Sequence, residues 1–336
     1  GFFTDEADVM KAALDYGYIR IFFLPIMFSS YSVNTSLRCL GDAKTPMYIM
    51  IVASIVNIFL DPLFMFSHFP GTNIPGLNLG VFGAGLATVI STIVAFTLGF
   101  VILIRGTDKM KITLKGLFSL DWGIDKKLLT IGFPAGMEVL SRNLASVFTL
   151  KFVSQYGTNT VAAMGIGGRL FNFAFMPIFG IVMGSSTIVG QCLGAENLER
   201  AKDTAKFSAL LNFIMMSIVS IIAILFPRQV MRIFIDDVNV IEVGKSMIQI
   251  MIPALALGGA AMGLGSVFPG SGHNLPLLLS SLISRWGVQV PLLYLVTRVL
   301  NLSVLYVWGS FIVADAVEMI IVFISYKRGT WETKRV

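Results

Sequence analysis

Two polar residues close an otherwise apolar run of the sequence. Asn57 and Asp61 lie four positions apart in the segment NIFLDPLF, within a stretch from Met47 to Phe66 that is apolar almost throughout. Residues four apart share one face of a helix, so the amide and the carboxylate would be neighbours. A carboxylate in apolar surroundings can exchange a proton near neutral pH, and carboxylate and amide oxygens also suit Na⁺. The pair predicts a site for H⁺ or Na⁺, and the alternative is a solvated helix-end carboxylate before Pro62.

A second set of charged residues begins in the middle of the chain. Glu138 and Arg142 are also four apart and lie in another apolar segment. They are candidates for substrate binding or ion coupling, and a structural ion pair is the interpretation we favour. Arg169 is preceded by two glycines that permit close helix approach. It is a candidate for contact with an anionic partner or a substrate, although a structural pairing is again favoured.

The last apolar segment carries two carboxylates. Asp315 and Glu318 are three apart and therefore share a helix face. Their short side chains cannot reach far towards a membrane surface, as lysine and arginine can, so we expect them to line an interior cavity. Arg285, in the preceding segment, is the natural counter-ion.

The elements that hold these residues are predicted by composition. Of 336 residues, 55% are hydrophobic and 13% are charged, whereas soluble domains carry about 25% charged residues. A bilayer is crossed by roughly 20 apolar residues in a helix. We predict an all-α, polytopic membrane protein with about nine spanning helices, at residues 9–38, 46–67, 80–104, 129–154, 160–189, 205–226, 246–268, 276–297 and 303–325.

Basic residues indicate the orientation. Most of the 25 Lys and Arg residues fall on one side of the alternating helices, and the side rich in these residues is cytoplasmic. We therefore expect a cell-membrane protein whose N-terminus is outside and whose C-terminus is cytoplasmic. The net charge of +6 then reflects membrane topology and not a nucleic-acid partner.

An internal repeat predicts the domain organisation. LRCLGDAKTP at 37–46 and VFPGSGHNLP at 267–276 each place a glycine-containing turn before a proline that opens a long apolar segment. The second copy starts near Pro134, so the corresponding start of the first copy would precede Gly1. We predict an incomplete first lobe of three spanning helices at 1–106, a cytoplasmic amphipathic linker at 107–127 and a six-helix second lobe at 128–336. At matching offsets the second copy has Gly287 and Pro291, which favours a functional role for Asn57 and Asp61.

Five motifs together resemble the multidrug and toxic compound extrusion (MATE) transporters of the MOP superfamily. They are GDAKTP at 41–46, NIFLDP at 57–62, GVFGAGLATVIS at 80–91, VAAMGIGGRL at 161–170 and GQCLGAENLERAK at 190–202. The resemblance implies helices four to twelve of a two-lobe antiporter. It also implies export of organic, cationic amphipathic compounds in exchange for Na⁺ or H⁺, by alternating access. It places the cation at Asn57, Asp61 and Thr88, together with an Asp on the family's first helix that this chain does not contain.

Other functions remain as alternatives. A lipid-linked oligosaccharide flippase of the same superfamily would carry a basic cavity, for which Arg142, Lys151, Arg169 and Arg285 are the candidates. A channel or a membrane scaffold is the alternative from another class. The sequence has no P-loop, metal-ligand spacing or nucleophile triad, which disfavours an enzyme. We expect no cofactor apart from the coupling ion. Separately, we expect the protein to be a monomer.

Overall fold

The structure is a computed structural model that describes residues 7–69, 71, 74–106 and 121–332. This part of the chain is almost entirely helical, with one isolated bridge between His68 and Pro75 and no strand. The predicted all-α class is confirmed. The described residues up to Gly106 form one compact unit, and those from Asp121 onwards form a second. Residues 107–120 of the expected linker lie outside the described residues.

The first unit contains four helices, α1 (Ala7–Phe22), α2 (Leu24–Cys39), α3 (Lys44–Met65) and α4 (Gly80–Arg105). Helices α1, α2 and α3 all pack against α4. Gly83 explains how closely α3 and α4 approach, because a Cβ at this position would lie 2.6 Å from the backbone oxygen of Phe64. The apolar core of this unit is formed by Val33, Leu37, Ile49, Ala53, Ala95 and Leu103.

The second unit opens with two long helices and a short connection. These are α5 (Trp122–Val153), a 3₁₀ turn (Ser154–Tyr156) and α6 (Thr158–Gly194). They are followed by α7 (Leu198–Leu225), α8 (Pro227–Arg232), α9 (Val238–Gly265) and α10 (Val267–Gly270). Asp121, Asn197 and Asp237 cap the N-termini of α5, α7 and α9 with side-chain oxygens.

The final part of the second unit combines α and π geometry. Helix α11 (Leu275–Ser281) runs into a π-helix (Leu282–Gln289), and α12 (Val290–Tyr294) runs into a second π-helix (Leu295–Val299). Helix α13 (Val304–Lys327) ends the series. Helices α7 and α9 pack along much of their length, and Gly263 lies against the backbone of Ala209 at that interface.

Six of the described helices are long and apolar enough to cross a membrane. They are Lys44–Met65, Gly80–Arg105, Thr158–Gly194, Leu198–Leu225, Val238–Gly270 and Val304–Lys327. The three remaining predicted segments are helical but differ from a simple apolar span. Residues 9–38 divide at Phe23 into α1 and α2, residues 276–297 alternate between α and π geometry, and α5 contains several charged residues. The predicted number of nine is therefore not confirmed.

Candidate functional site

The predicted cation pair lies near the C-terminal end of α3. The Asn57 side-chain nitrogen donates to Asp61 Oδ1 at 3.2 Å, and both residues are half-buried. The carboxylate and the amide oxygen of this pair are hard oxygen donors of the kind that Na⁺ requires. Thr88 lies on α4, where its hydroxyl donates to the Ala84 carbonyl at 2.9 Å. The structure thus brings Asn57 and Asp61 together, and it gives Thr88 a partner in its own helix.

A larger charged cluster occupies the second unit. On α5, Arg142 Nε donates to Glu138 Oε1 at 2.6 Å. The two terminal nitrogens of the same guanidinium donate to the two carboxylate oxygens of Glu318 on α13. The expected pair of Glu138 and Arg142 is therefore present, and it extends to a third residue that is 176 positions away in sequence.

Arg285 extends the cluster from the first π-helix. Its Nη2 donates to Asp315 Oδ1 at 2.8 Å and to Glu318 Oε2 at 3.3 Å, while Nη1 donates to Gln289 at 3.1 Å. The Ser284 hydroxyl donates a hydrogen bond to Glu318 Oε2 at 3.2 Å. We call Glu138, Arg142, Arg285, Asp315 and Glu318 the charge network. Its three carboxylates and two guanidinium groups leave one net negative charge.

The two ends of the charge network differ from its centre. Glu318 contacts both arginines and Ser284, whereas Asp315 contacts Arg285 alone and Glu138 contacts Arg142 alone. The Asp315 side chain retains 31% of its exposure, compared with 16% for Glu318. Asp315 is therefore more available to an incoming cation than Glu318.

All five residues of the charge network line a cavity of about 680 Å³ in the second unit. The rest of its wall is mainly apolar, and its larger side chains are methionines and aromatic residues from α6, α9 and α13. These are Met164, Phe171, Phe175, Phe179, Met247, Met251, Met262, Trp308, Phe311 and Met319. A charged region on an otherwise apolar wall suits a molecule that has one ionic group and a large apolar body.

Arg169 does not belong to this site. It is exposed, and it is absent from the wall of the cavity, although Gly168 beside it contributes to that wall. Successive positions of an α-helix lie on different faces, so position 169 can face away from a cavity that position 168 lines. Among the residues that the structure describes, no carboxylate forms an ion pair with Arg169, so the expected anionic partner is not observed there.

Sequence reasoning missed three contributors to the site. Ser284 and Gln289 hold the charge network, and Trp308 lines the cavity. A usable signal was present on α13, because the cavity-lining residues Trp308, Phe311, Ile312, Asp315, Glu318, Met319 and Val322 follow helical spacing. Starting from Asp315 and Glu318, helical spacing could have identified Trp308 as a residue on the same face.

Comparison with known proteins identifies the family. The MatE family model matches residues 1–63 and 134–295, which is more than half of the chain. The chain is 27% identical over 331 residues to the probable multidrug resistance protein YoeA of Bacillus subtilis, with 98% of this chain and 70% of that protein covered. It is 28% identical over 334 residues to the probable multidrug resistance protein NorM of Thermotoga maritima, with the same two shares covered.

A solved structure supports the fold. The chain superposes on a MOP superfamily transporter from Pyrococcus furiosus with a TM-score of 0.87 and 23% sequence identity, covering 97% of this chain and 71% of that one. At this identity the likeness concerns the fold alone. The helical architecture, the apolar spans and the family match lead to one conclusion. This chain is a multi-pass membrane protein that belongs to the MatE (MATE) family of transporters.

Proposed function

We propose that this protein exports small, amphipathic organic cations in antiport with Na⁺ or H⁺ by alternating access. The observation that carries the proposal is the cavity of about 680 Å³ in the second unit. Its volume lies in the range of pockets for drug-sized ligands. The names of the relatives YoeA and NorM, both probable multidrug resistance proteins, agree with such cargo.

The chemistry of the cavity wall favours cations of varied shape. Methionine side chains are unbranched and polarizable, so they adapt to ligands that differ in outline. Aromatic faces attract cations, and the charge network adds one net negative charge. A cation with an apolar body is therefore better accommodated than an anion.

Coupling is assigned to Asn57 and Asp61 in the first unit. Intramembrane carboxylates are costly to keep and are usually functional, and here the amide of Asn57 holds the carboxylate in place. Binding of H⁺ or Na⁺ would change the charge of this pair and bias the conformational equilibrium. No cofactor other than the coupling ion is part of the proposal.

The bilayer is the expected surrounding of the helices. Large hydrophobic side chains are exposed along α3, α5 and α7, for example Ile58, Leu129 and Ile221, and such surfaces require an apolar environment. Two further properties stay predictions. The protein lies in the cell membrane with its C-terminus on the cytoplasmic side, and it is a monomer.

A flippase for lipid-linked oligosaccharides is less well supported. Such a protein would need a basic cavity for a pyrophosphate group. In the cavity observed here, Arg142 and Arg285 are outnumbered by three carboxylates, while Lys151 and Arg169 are not part of the wall. A channel or scaffold does not account for a closed set of intramembrane charges around a drug-sized cavity.

The proposal is tested by efflux of a fluorescent lipophilic cation from cells that express the natural protein. We expect Asp61→Asn to reduce ion-driven efflux at least about tenfold, because a neutral amide cannot exchange a proton and binds Na⁺ weakly. Cation binding by the purified variant should persist, since the cavity lies in the other unit.

The matched control is Asp203→Asn, which neutralises an exposed carboxylate paired with Lys206. It should transport as the unchanged protein does. Normal ion-driven efflux by Asp61→Asn would refute the coupling role. Failure of the unchanged protein to move or bind any lipophilic cation would refute the export function.

A further inference from the structure

A buried indole marks a second polar feature of the cavity. Trp308 on α13 has no solvent-exposed surface, and its Nε1–H has no hydrogen-bond acceptor among the residues that the structure describes. A buried donor without a partner is unfavourable, and native proteins rarely keep one without a reason. The group is therefore a candidate for a bond that forms only when a ligand is present.

Its position distinguishes Trp308 from the other unpartnered groups. In the described ranges, buried side-chain atoms without a partner also occur in Asn34, Ser208, Asn212 and Ser266. None of these four residues lines the cavity of about 680 Å³, whereas Trp308 does. A ligand in the cavity could reach the indole but not the other four.

The residues around the indole permit that access. Met247, Met251 and Phe311 belong to the same apolar cluster as Trp308, and all three also line the cavity. Because Trp308 itself is fully covered, a ligand can contact its N–H only after a neighbouring side chain rotates. Methionine has three rotatable side-chain bonds, so this movement requires no change of the backbone.

Helical geometry fixes the spacing between the indole and the charge network. Trp308 and Asp315 are seven residues apart on one continuous α-helix, and both line the cavity. Seven residues correspond to two turns, or about 10 Å along the axis. Phe311 and Ile312 lie between them on the same face and are apolar.

We propose that Trp308 is a specificity-determining residue that donates a hydrogen bond to substrates carrying an acceptor about 10 Å from their cationic group. The cation lies at the accessible carboxylate of Asp315, the apolar body covers Phe311 and Ile312, and a carbonyl or ether oxygen receives the indole N–H. This inference rests on the proposed export of organic cations and specifies which of them bind best.

The test compares two synthetic cations that differ in one group. One is a quaternary ammonium compound with an aryl ketone about 10 Å from the nitrogen, and the other has CH₂ in place of the ketone carbonyl. Calorimetric titration of the purified natural protein should show about tenfold tighter binding of the ketone, as expected for one buried hydrogen bond. Trp308→Phe should bind both compounds equally, because it keeps an aromatic ring and loses the N–H.

Trp286→Phe is the matched control. The Trp286 indole donates to Ser141 Oγ at 3.0 Å and is not part of the cavity wall, so this variant should keep the ketone preference. An independent readout uses ¹⁵N-labelled tryptophan, of which the chain has four. One indole N–H resonance of the unchanged protein should shift downfield with the ketone and not with the CH₂ analogue.

The outcomes separate this inference from the proposed function. Equal binding of the two compounds by the unchanged protein, an unshifted set of indole resonances, or a ketone preference that survives Trp308→Phe would overturn the role of Trp308 while leaving cation export intact. Absence of binding of either compound to the unchanged protein would overturn the inference and the proposed cargo together.

Discussion

Glu318 connects the two halves of the charge network, so its replacement should have the largest structural effect. Its carboxylate receives hydrogen bonds from Arg142, Arg285 and Ser284. The change Glu318→Gln preserves the shape of the side chain and removes its charge. Arg142 and Arg285 would then each keep a single carboxylate, Glu138 and Asp315 respectively.

The expected magnitude follows from burial and from the remaining partners. Breaking a fully buried ion pair by removing one member costs about 3–5 kcal/mol. Here the Glu318 side chain is 16% exposed but the Arg142 side chain is 35% exposed towards the cavity, which weakens the interaction by solvent screening. Because both arginines also retain a carboxylate, we expect Glu318→Gln to lower the free energy of unfolding by about 2 kcal/mol.

Unfolding of the purified protein in mixed micelles, followed by tryptophan fluorescence during a titration with SDS, measures this difference. A double-mutant cycle with Arg142→Gln should give a coupling energy of about 1–2 kcal/mol between the two residues. The control is Asp203→Asn, whose pair with Lys206 is largely exposed and should contribute less than about 0.5 kcal/mol. If Glu318→Gln is no more destabilising than this control, the charge network does not hold α5 and α13 together.

Two further predictions concern helix packing and a helix start. Gly263→Ala should lower the free energy of unfolding by about 1–3 kcal/mol, because the added Cβ would lie 2.5 Å from the backbone of Ala209. The control is Gly258→Ala, whose Cβ would meet open space. It should change the free energy of unfolding little in the same SDS titration. Asp42 should stabilise the start of α3 above about pH 4, since hydrogen bonds with the side chain and backbone N–H of Thr45 lower the pKa of its carboxyl. This contribution disappears as the pH falls through the lowered pKa. Thermal unfolding should therefore show that Asp42→Ala destabilises the protein at pH 7 and does so less below pH 4. An equal destabilisation at the two pH values would contradict this prediction.

Local contacts of the site could be predicted from sequence because helical spacing determines them. Asn57 with Asp61, and Glu138 with Arg142, are four residues apart, and in each pair the structure shows a direct hydrogen bond. The interior position of Asp315 also follows from its lack of a long, flexible side chain. These predictions needed only a continuous helix, which the apolar runs already indicated.

Contacts between distant helices could not be predicted in the same way. No pattern in the sequence specifies that Arg142 reaches Glu318, because that contact depends on how α5 packs beside α13. The unpartnered indole of Trp308 is likewise a property of tertiary packing. Long apolar runs predict that a helix exists, but they do not show which face meets a cavity when lipid and protein interior are both apolar.

The π-helix around Arg285 shows why the two copies of the predicted repeat cannot be compared by residue offset alone. In α3 the hydrogen bonds follow α geometry from Lys44 to Met65, whereas the matching segment of the second copy changes to π geometry at Leu282. A π-turn accommodates an additional residue, so each residue after it is rotated by roughly 100° relative to an uninterrupted α-helix. Gly287, at the offset of Asn57, lies within this π-helix, and its position in the sequence no longer specifies the face on which it stands. The polar groups of the second copy come instead from Arg285 and Gln289, which bond to each other. If the two segments are copies of one unit, the change to π geometry alters which face each residue occupies, so an equal offset from the proline does not imply an equal position in the fold.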